Sequence, residues 1–138
     1  MPRKKIEGLH QDYTMDLTVE TCYLPDHSDE EEKKFTFSYK INIKNTGKIG
    51  ARLMTRHWFI TEGENELGEH DVKEIKGEGV VGEHPHLYPG EEFEYTSHAV
   101  VNSPVASMEG AYSFIADDGS EFDAPIPRFI LSMPRTVH

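Results

Sequence analysis

Apolar side chains recur at every second position along much of this chain, not at the three- and four-residue spacing of a helix. Phe35, Phe37, Tyr39, Ile41 and Ile43 interleave with Thr36, Ser38, Lys40, Asn42 and Lys44, the pattern of a strand with one face in a core and the other in water. Tyr13, Met15, Leu17 and Val19, set against Thr14, Asp16, Thr18 and Glu20, predict an earlier strand of the same kind. Asn45-Thr46-Gly47 supplies residues that tolerate positive φ and ends the second strand. A third strand is expected over 50–61, where Leu53, Met54, Trp58, Phe59 and Ile60 are too apolar for an exposed strand. Residues 62–71, with Gly63 and Gly68, read as a loop and leave a short fourth strand over 72–76.

Tyr88-Pro89-Gly90 turns the chain into a fifth strand carrying Phe93, Tyr95 and Ser97. Gly110 and Asp118-Gly119 bracket a sixth strand, and the seventh covers 122–133. Pro125 and Pro127 cannot donate to a ladder, so the seventh must be partly an edge or contain a break. Seven short strands without an amphipathic helical segment predict an all-β fold, a two-sheet sandwich of about seven strands. Its core should include Phe37, Tyr39, Ile41, Leu53, Trp58, Phe93, Tyr95 and Phe114. Tyr112 is a candidate tyrosine corner, its hydroxyl bonded to backbone a few residues upstream. The expected division is a tail over 1–12, one domain over 13–134 and a tail over 135–138.

The net charge of −11 in 138 residues repels the phosphate backbone that nucleic-acid binders attract with clustered Lys and Arg, so nucleic acid is not an expected partner. The basic run Arg3-Lys4-Lys5 falls in the predicted tail. No apolar stretch approaches the ~20 residues that cross a bilayer, and the N-terminus has no apolar signal run, so neither membrane nor export is expected. Cys22 stands alone and can close no internal disulfide. A cytoplasmic location is the expectation that follows.

Candidate chemistry is sparse. The acidic run Asp26-His27-Ser28-Asp29-Glu30-Glu31-Glu32 lacks the spaced ligands and glycine of an EF-hand and reads as a solvated connection. Gly77-Glu78-Gly79-Val80-Val81-Gly82 fits G-x-G-x-x-G, but Pro85, Pro89 and Gly90 stand where a dinucleotide-binding helix would run, which excludes that site. The glycines first suit a tight strand connection; such a turn could also offer successive backbone N–H groups to an anion, against the charge of Glu78 and Glu83. Under either reading the turn should be exposed, with a glycine at positive φ and no helix after it. In Arg56-His57-Trp58, Arg56 should share the buried face of Trp58 and His57 the opposite one, as a structural histidine. Cys22 and the serines have no recognisable base, and the eight histidines fall in no zinc spacing, so no catalytic residue, metal site or cofactor is assigned.

Arg56-His57-Trp58-Phe59-Ile60-Thr61, the glycine turn with Glu83, Pro89-Gly90-Glu91-Glu92-Phe93-Glu94-Tyr95-Thr96-Ser97 and Phe122-Asp123-Ala124-Pro125-Ile126-Pro127-Arg128-Phe129 together resemble the ApaG family. The resemblance implies an immunoglobulin or fibronectin type III-like sandwich, found alone in bacteria and attached to eukaryotic F-box proteins. It also implies an association with cobalt and magnesium efflux, gene neighbours that degrade diadenosine polyphosphates, and a glycine loop suited to pyrophosphate. The resulting expectation is a non-catalytic module linked to divalent-cation homeostasis, binding a phosphorylated small molecule or a protein partner, with Gly77, Glu78, Gly79, Val80, Val81 and Gly82 as the candidate site for pyrophosphate or another anion. A hydrolase or metal-dependent enzyme acting on nucleoside polyphosphates is the alternative.

Overall fold

Strands of alternating polarity need a second apolar face to cover their own, and this chain builds two sheets that cover each other. The computed structural model describes residues 5–6, 12–64 and 67–134. Its strands are β1 (Lys5–Ile6), β2 (Met15–Tyr23), β3 (Phe35–Asn45), β4 (Ala51–Glu64), β5 (His70–Glu78), β6 (His86–Leu87), β7 (Glu92–Val101), β8 (Val105–Ala116) and β9 (Glu121–Ser132), with a 3-10 turn at Pro25–His27. One sheet runs β2-β3-β7 and the other β1-β9-β8-β4-β5, with β6 paired onto β4. All pairings are antiparallel except that of β1 with β9. The seven long strands form a two-sheet sandwich of fibronectin type III kind, with a buried tryptophan, Trp58, on the central strand β4. The short β1 falls inside the segment read as an N-terminal tail, while Arg3, Lys4 and 135–138 lie outside the described residues.

A one-residue bulge sets the inward face of β4. Leu53 pairs with Phe114 but Thr55 with Ser113, so Met54 is an extra residue against β8. Before it, Ala51 and Leu53 point into the core; after it, the inward positions are Arg56, Trp58, Ile60 and Glu62. A second irregularity sets Pro127 and Arg128 against Glu109 alone, between the pairs Met108–Phe129 and Gly110–Ile126. Pro125 and Pro127 thus sit in an interrupted strand whose outer edge β1 covers only at Glu121 and Phe122, which meets the expectation of both an edge and a break.

Seven of the eight residues assigned to the core are buried, and Phe93 packs against it half-buried. Three element boundaries need correction. β4 continues to Glu64 and β5 begins at His70, so the loop expected over 62–71 is mostly strand and the fourth strand is not short. Gly110 does not open the sixth strand but lies inside it, where a Cβ would stand 1.9 Å from the carbonyl oxygen of His57. The tyrosine corner is also overturned: the buried Tyr112 hydroxyl pairs with the Tyr95 hydroxyl across the two sheets, not with backbone. Burial at mid-strand carries that hydroxyl into the core.

Gly110→Ala should therefore destabilise the domain by at least about 1–3 kcal/mol, because backbone and not a flexible side chain must give way. Urea unfolding of the two proteins measures it, and an unchanged midpoint would show that the strands do not approach this closely.

Candidate functional site

The glycine turn is built from β4 outward. Gly77 stands opposite Arg56 in the β4–β5 register, and an added Cβ there would lie 2.5 Å from the guanidinium carbon. The missing side chain lets Arg56 lie flat over β5, where Nη1 donates to the carbonyls of Glu78 at 2.8 Å and Gly79 at 2.9 Å. Gly79 donates its N–H to Met54 at 2.9 Å; its φ of +58° and the Glu83 carbonyl 2.2 Å from an ideal Cβ leave no place for another residue. Val80 and Glu83 then exchange both backbone bonds at 2.9 Å around Val81 and Gly82, at φ of 44° and 79°. Two central residues at positive φ make this a two-residue hairpin turn of the I′ kind.

The structure thus gives the glycines structural duties and alters the expected exposure. Val81, Gly82 and the Glu78 side chain are exposed, whereas Gly79 and Val80 are buried. No helix follows; β6 does. The N–H groups of Gly79, Val80 and Glu83 are spent on carbonyls, leaving those of Val81 and Gly82 without an acceptor among the described residues. A second arginine, Arg52, donates to the His84 carbonyl at 2.7 Å and fixes the descending leg. His84 Nε2 and Glu78 Oε2 face each other at 3.6 Å across the base.

Behind the turn is a cavity of about 270 Å³, bordered by Arg56 and Glu78, by Val81 and Gly82 of the turn, and by Tyr39, Tyr95 and Ser97. Arg56 is its one cation, half-buried, and no carboxylate ion-pairs with it among the described residues. Two of its five N–H donors reach the carbonyls, which leaves three for solvent or ligand. Tyr39, Tyr95 and Tyr112 line up behind it. Burial, which disfavours phenolate, raises the pKa of all three above the ordinary tyrosine value; the charge of Arg56 acts the other way on each, more weakly.

Other candidates assemble less. His57 faces outward as expected, its ring tilted against that of Phe59 with centroids 4.6 Å apart, with Nε2 3.5 Å from Glu74 Oε1 and making no hydrogen bond. Cys22 is exposed, and the acidic run lies at the surface around the 3-10 turn. Among the described residues no three His, Cys, Asp or Glu side chains converge to hold a metal ion, and no helix is long and apolar enough to cross a membrane. Sequence reasoning missed Glu62, whose buried side chain accepts from the Asn102 N–H at 2.7 Å and lies 2.9 Å from Lys73 Nζ. The signal was its even spacing from Arg56, Trp58 and Ile60, hidden because the strand had been ended at Thr61.

Residues 25–116 match the family model described as the ApaG domain. The chain belongs to the ApaG family. It is 48% identical to the protein ApaG of Nitrosospira multiformis and 47% identical to that of Thiobacillus denitrificans, each over 126 residues that make up 91% of this chain and 95% of the relative. Its fold superposes on the crystal structure of a protein designated ApaA from Bordetella pertussis with a TM-score of 0.83 at 39% identity, covering 98% of this chain and all of the other. The family match ends at Ala116, but the alignments with ApaG relatives run on far enough to take in strands on both sides of it. The core sandwich described above is therefore a shared ApaG architecture.

Two outcomes follow from the local chemistry. Val81 is β-branched, 54% exposed and held at φ 44°, where asparagine followed by glycine is the favoured pair. Val81→Asn should stabilise the domain by about 0.5–1 kcal/mol in a urea melt, and a loss would show that the valine side chain packs usefully.

The tyrosine cluster predicts an alkaline limit. Groups whose pKa is raised on folding contribute full stability below their unfolded value of about 10 and lose it as pH rises from there towards the folded values. Unfolding free energy should be flat between about pH 8 and 9 and fall above about pH 10, less steeply in Tyr112→Phe. Equal slopes in the two proteins would remove Tyr112 from the cause.

Proposed function

We propose that this chain is a non-catalytic, cytoplasmic binding module that holds a phosphate-bearing anion where Arg56 meets the hairpin formed by Gly77, Glu78, Gly79, Val80, Val81 and Gly82. The observation that carries the reading is Arg56: a half-buried guanidinium with three uncommitted donors and no carboxylate partner, in a chain whose acidic side chains outnumber basic ones 25 to 14. The free N–H groups of Val81 and Gly82 and the hydroxyls of Tyr39 and Ser97 border the same cavity. A planar fork of donors suits phosphoryl oxygens better than a point charge would. Glu78 opposes the anion, and His84 Nε2, 3.6 Å from its carboxylate, offsets that charge only when protonated. Any part in cobalt or magnesium homeostasis is then indirect, through the phosphorylated ligand or a protein that reads the liganded state.

Titration calorimetry with inorganic pyrophosphate tests the reading. The wild-type protein should bind, Arg56→Gln should bind at least about tenfold more weakly, and Glu78→Gln about two- to tenfold more tightly, with that gain shrinking as salt is raised. Gly79→Ala is not a usable probe, because the Glu83 carbonyl makes it a folding mutation. Absence of binding at millimolar pyrophosphate, or sustained hydrolysis of it with magnesium present, overturns the proposal.

A further inference from the structure

The two long sides of the sandwich are closed to different degrees. On one, β2 meets β9 and the ring of Tyr13 packs on Phe122 with centroids 5.6 Å apart. On the other, the edge strands are β7 and β5, and their inward positions carry Ser97 and Ala99 on β7 and Gly77 on β5. Those small residues leave the sheets apart. A second cavity of about 300 Å³ follows this gap, with Trp58 and Met108 on its floor and Ile75 and Ala99 on its flanks. Ile75 stands opposite Trp58 in register, yet it is 42% exposed where Trp58 is 2% exposed. The apolar face of the edge strand is uncovered where the small residues Ser97 and Ala99 face it from β7.

Both cavities share Tyr39, Arg56 and Ser97, so they are two arms of one cleft with the guanidinium at the join. One arm is polar and ends at the hairpin; the other offers the apolar surface of Trp58, Ile75 and Met108 but also carries Lys73 and His98. Inorganic phosphate could not use that apolar surface. A size near 300 Å³, apolar walls and a few converging polar groups are the usual features of a small-molecule pocket. We infer that the cleft takes small organic phosphates, monoesters whose phosphoryl group meets Arg56 and whose aromatic or apolar body lies along Trp58, Ile75 and Met108. This rests on the anion reading of Arg56 and adds the class of ligand. A peptide presenting a phosphotyrosine along the free edge of β5 is the competing occupant, disfavoured by the charged Asp71, Lys73, Glu74 and Lys76 that guard that edge.

Trp58 is the chain's one tryptophan, so its emission reports on the apolar arm alone. Phenyl phosphate, inorganic phosphate and phenol are titrated against the wild-type protein by calorimetry and Trp58 fluorescence. Phenyl phosphate should bind at least about tenfold more tightly than inorganic phosphate and change Trp58 emission, whereas inorganic phosphate should leave emission unchanged. Ala99→Leu, which fills the gap, should reduce that advantage below about threefold. Ile75→Asn, on the exposed edge, should do the same and serves if the Ala99 variant does not fold. If inorganic phosphate and pyrophosphate bind but phenyl phosphate gains nothing, the apolar arm is wrong and the anion site stands. If no phosphate binds, both fall. A phosphotyrosyl hexapeptide binding more than about tenfold more tightly than phenyl phosphate would overturn the small-molecule reading in favour of the peptide.

Discussion

The extra residue that β4 carries at Met54 decides which way every later side chain on that strand faces. Side chains alternate across a sheet, so one inserted position exchanges the two faces from there on. Ahead of the bulge, Ala51 and Leu53 fill the core; beyond it, Arg56, Trp58, Ile60 and Glu62 do. Without the bulge, Thr55, His57, Phe59 and Thr61 would point inward. The core would lose its tryptophan, and no cation would stand between the sheets.

Placing Arg56 and Glu62 on an inward face costs desolvation, and each is compensated locally. Glu62 receives the Asn102 N–H and Lys73, and so ties β4 to the start of β5 and to the β7–β8 turn. Arg56 receives only two carbonyls, both from the segment that opens the hairpin. The difference is chemical. The Glu62 carboxylate has its charge met by Lys73, although its Oε1 accepts no hydrogen bond, whereas a guanidinium with three donors to spare has room for an anion. The same two contacts let Arg56 hold the hairpin in place, so a ligand at the guanidinium would be felt by the turn.

Alternation made most of the fold legible in the sequence. The inward residues of β3, the burial of Trp58 and the opposite orientation of His57 follow from period two alone. What failed did so for identifiable reasons. Gly110 and Gly63 were read as turn residues, but Gly110 is there because the β4 backbone approaches closely, and the code for close approach is the same letter as the code for a turn. Glu62 was assigned to a loop because a carboxylate rarely belongs to a core, and its partners Lys73 and Asn102 are remote in sequence. Tyr112 resembled a corner tyrosine only while the sixth strand was thought to start at Gly110. The glycine turn was legible as a turn, but Arg56, which gives it its chemistry, could be placed only on a face and not against it.

The hairpin shows how a short motif can be structural and chemical together. Its glycines are explained by geometry: Gly77 makes room for a guanidinium, Gly79 passes beneath the Glu83 carbonyl, and Gly82 turns the chain. None of these duties requires a ligand, and by themselves they would leave the turn a connector. The cleft, however, is formed by the same absences. Gly77 without a side chain admits Arg56, and Ser97 and Ala99 across the gap are too small to cover it. Larger residues at 97 and 99 would bury Ile75 and bring the edges together, with more apolar area removed from water. A sandwich that leaves this stabilisation unused on one side, while closing the other with Tyr13 on Phe122, keeps the half-buried Arg56 guanidinium within reach of solvent, the access that the proposed anion site requires.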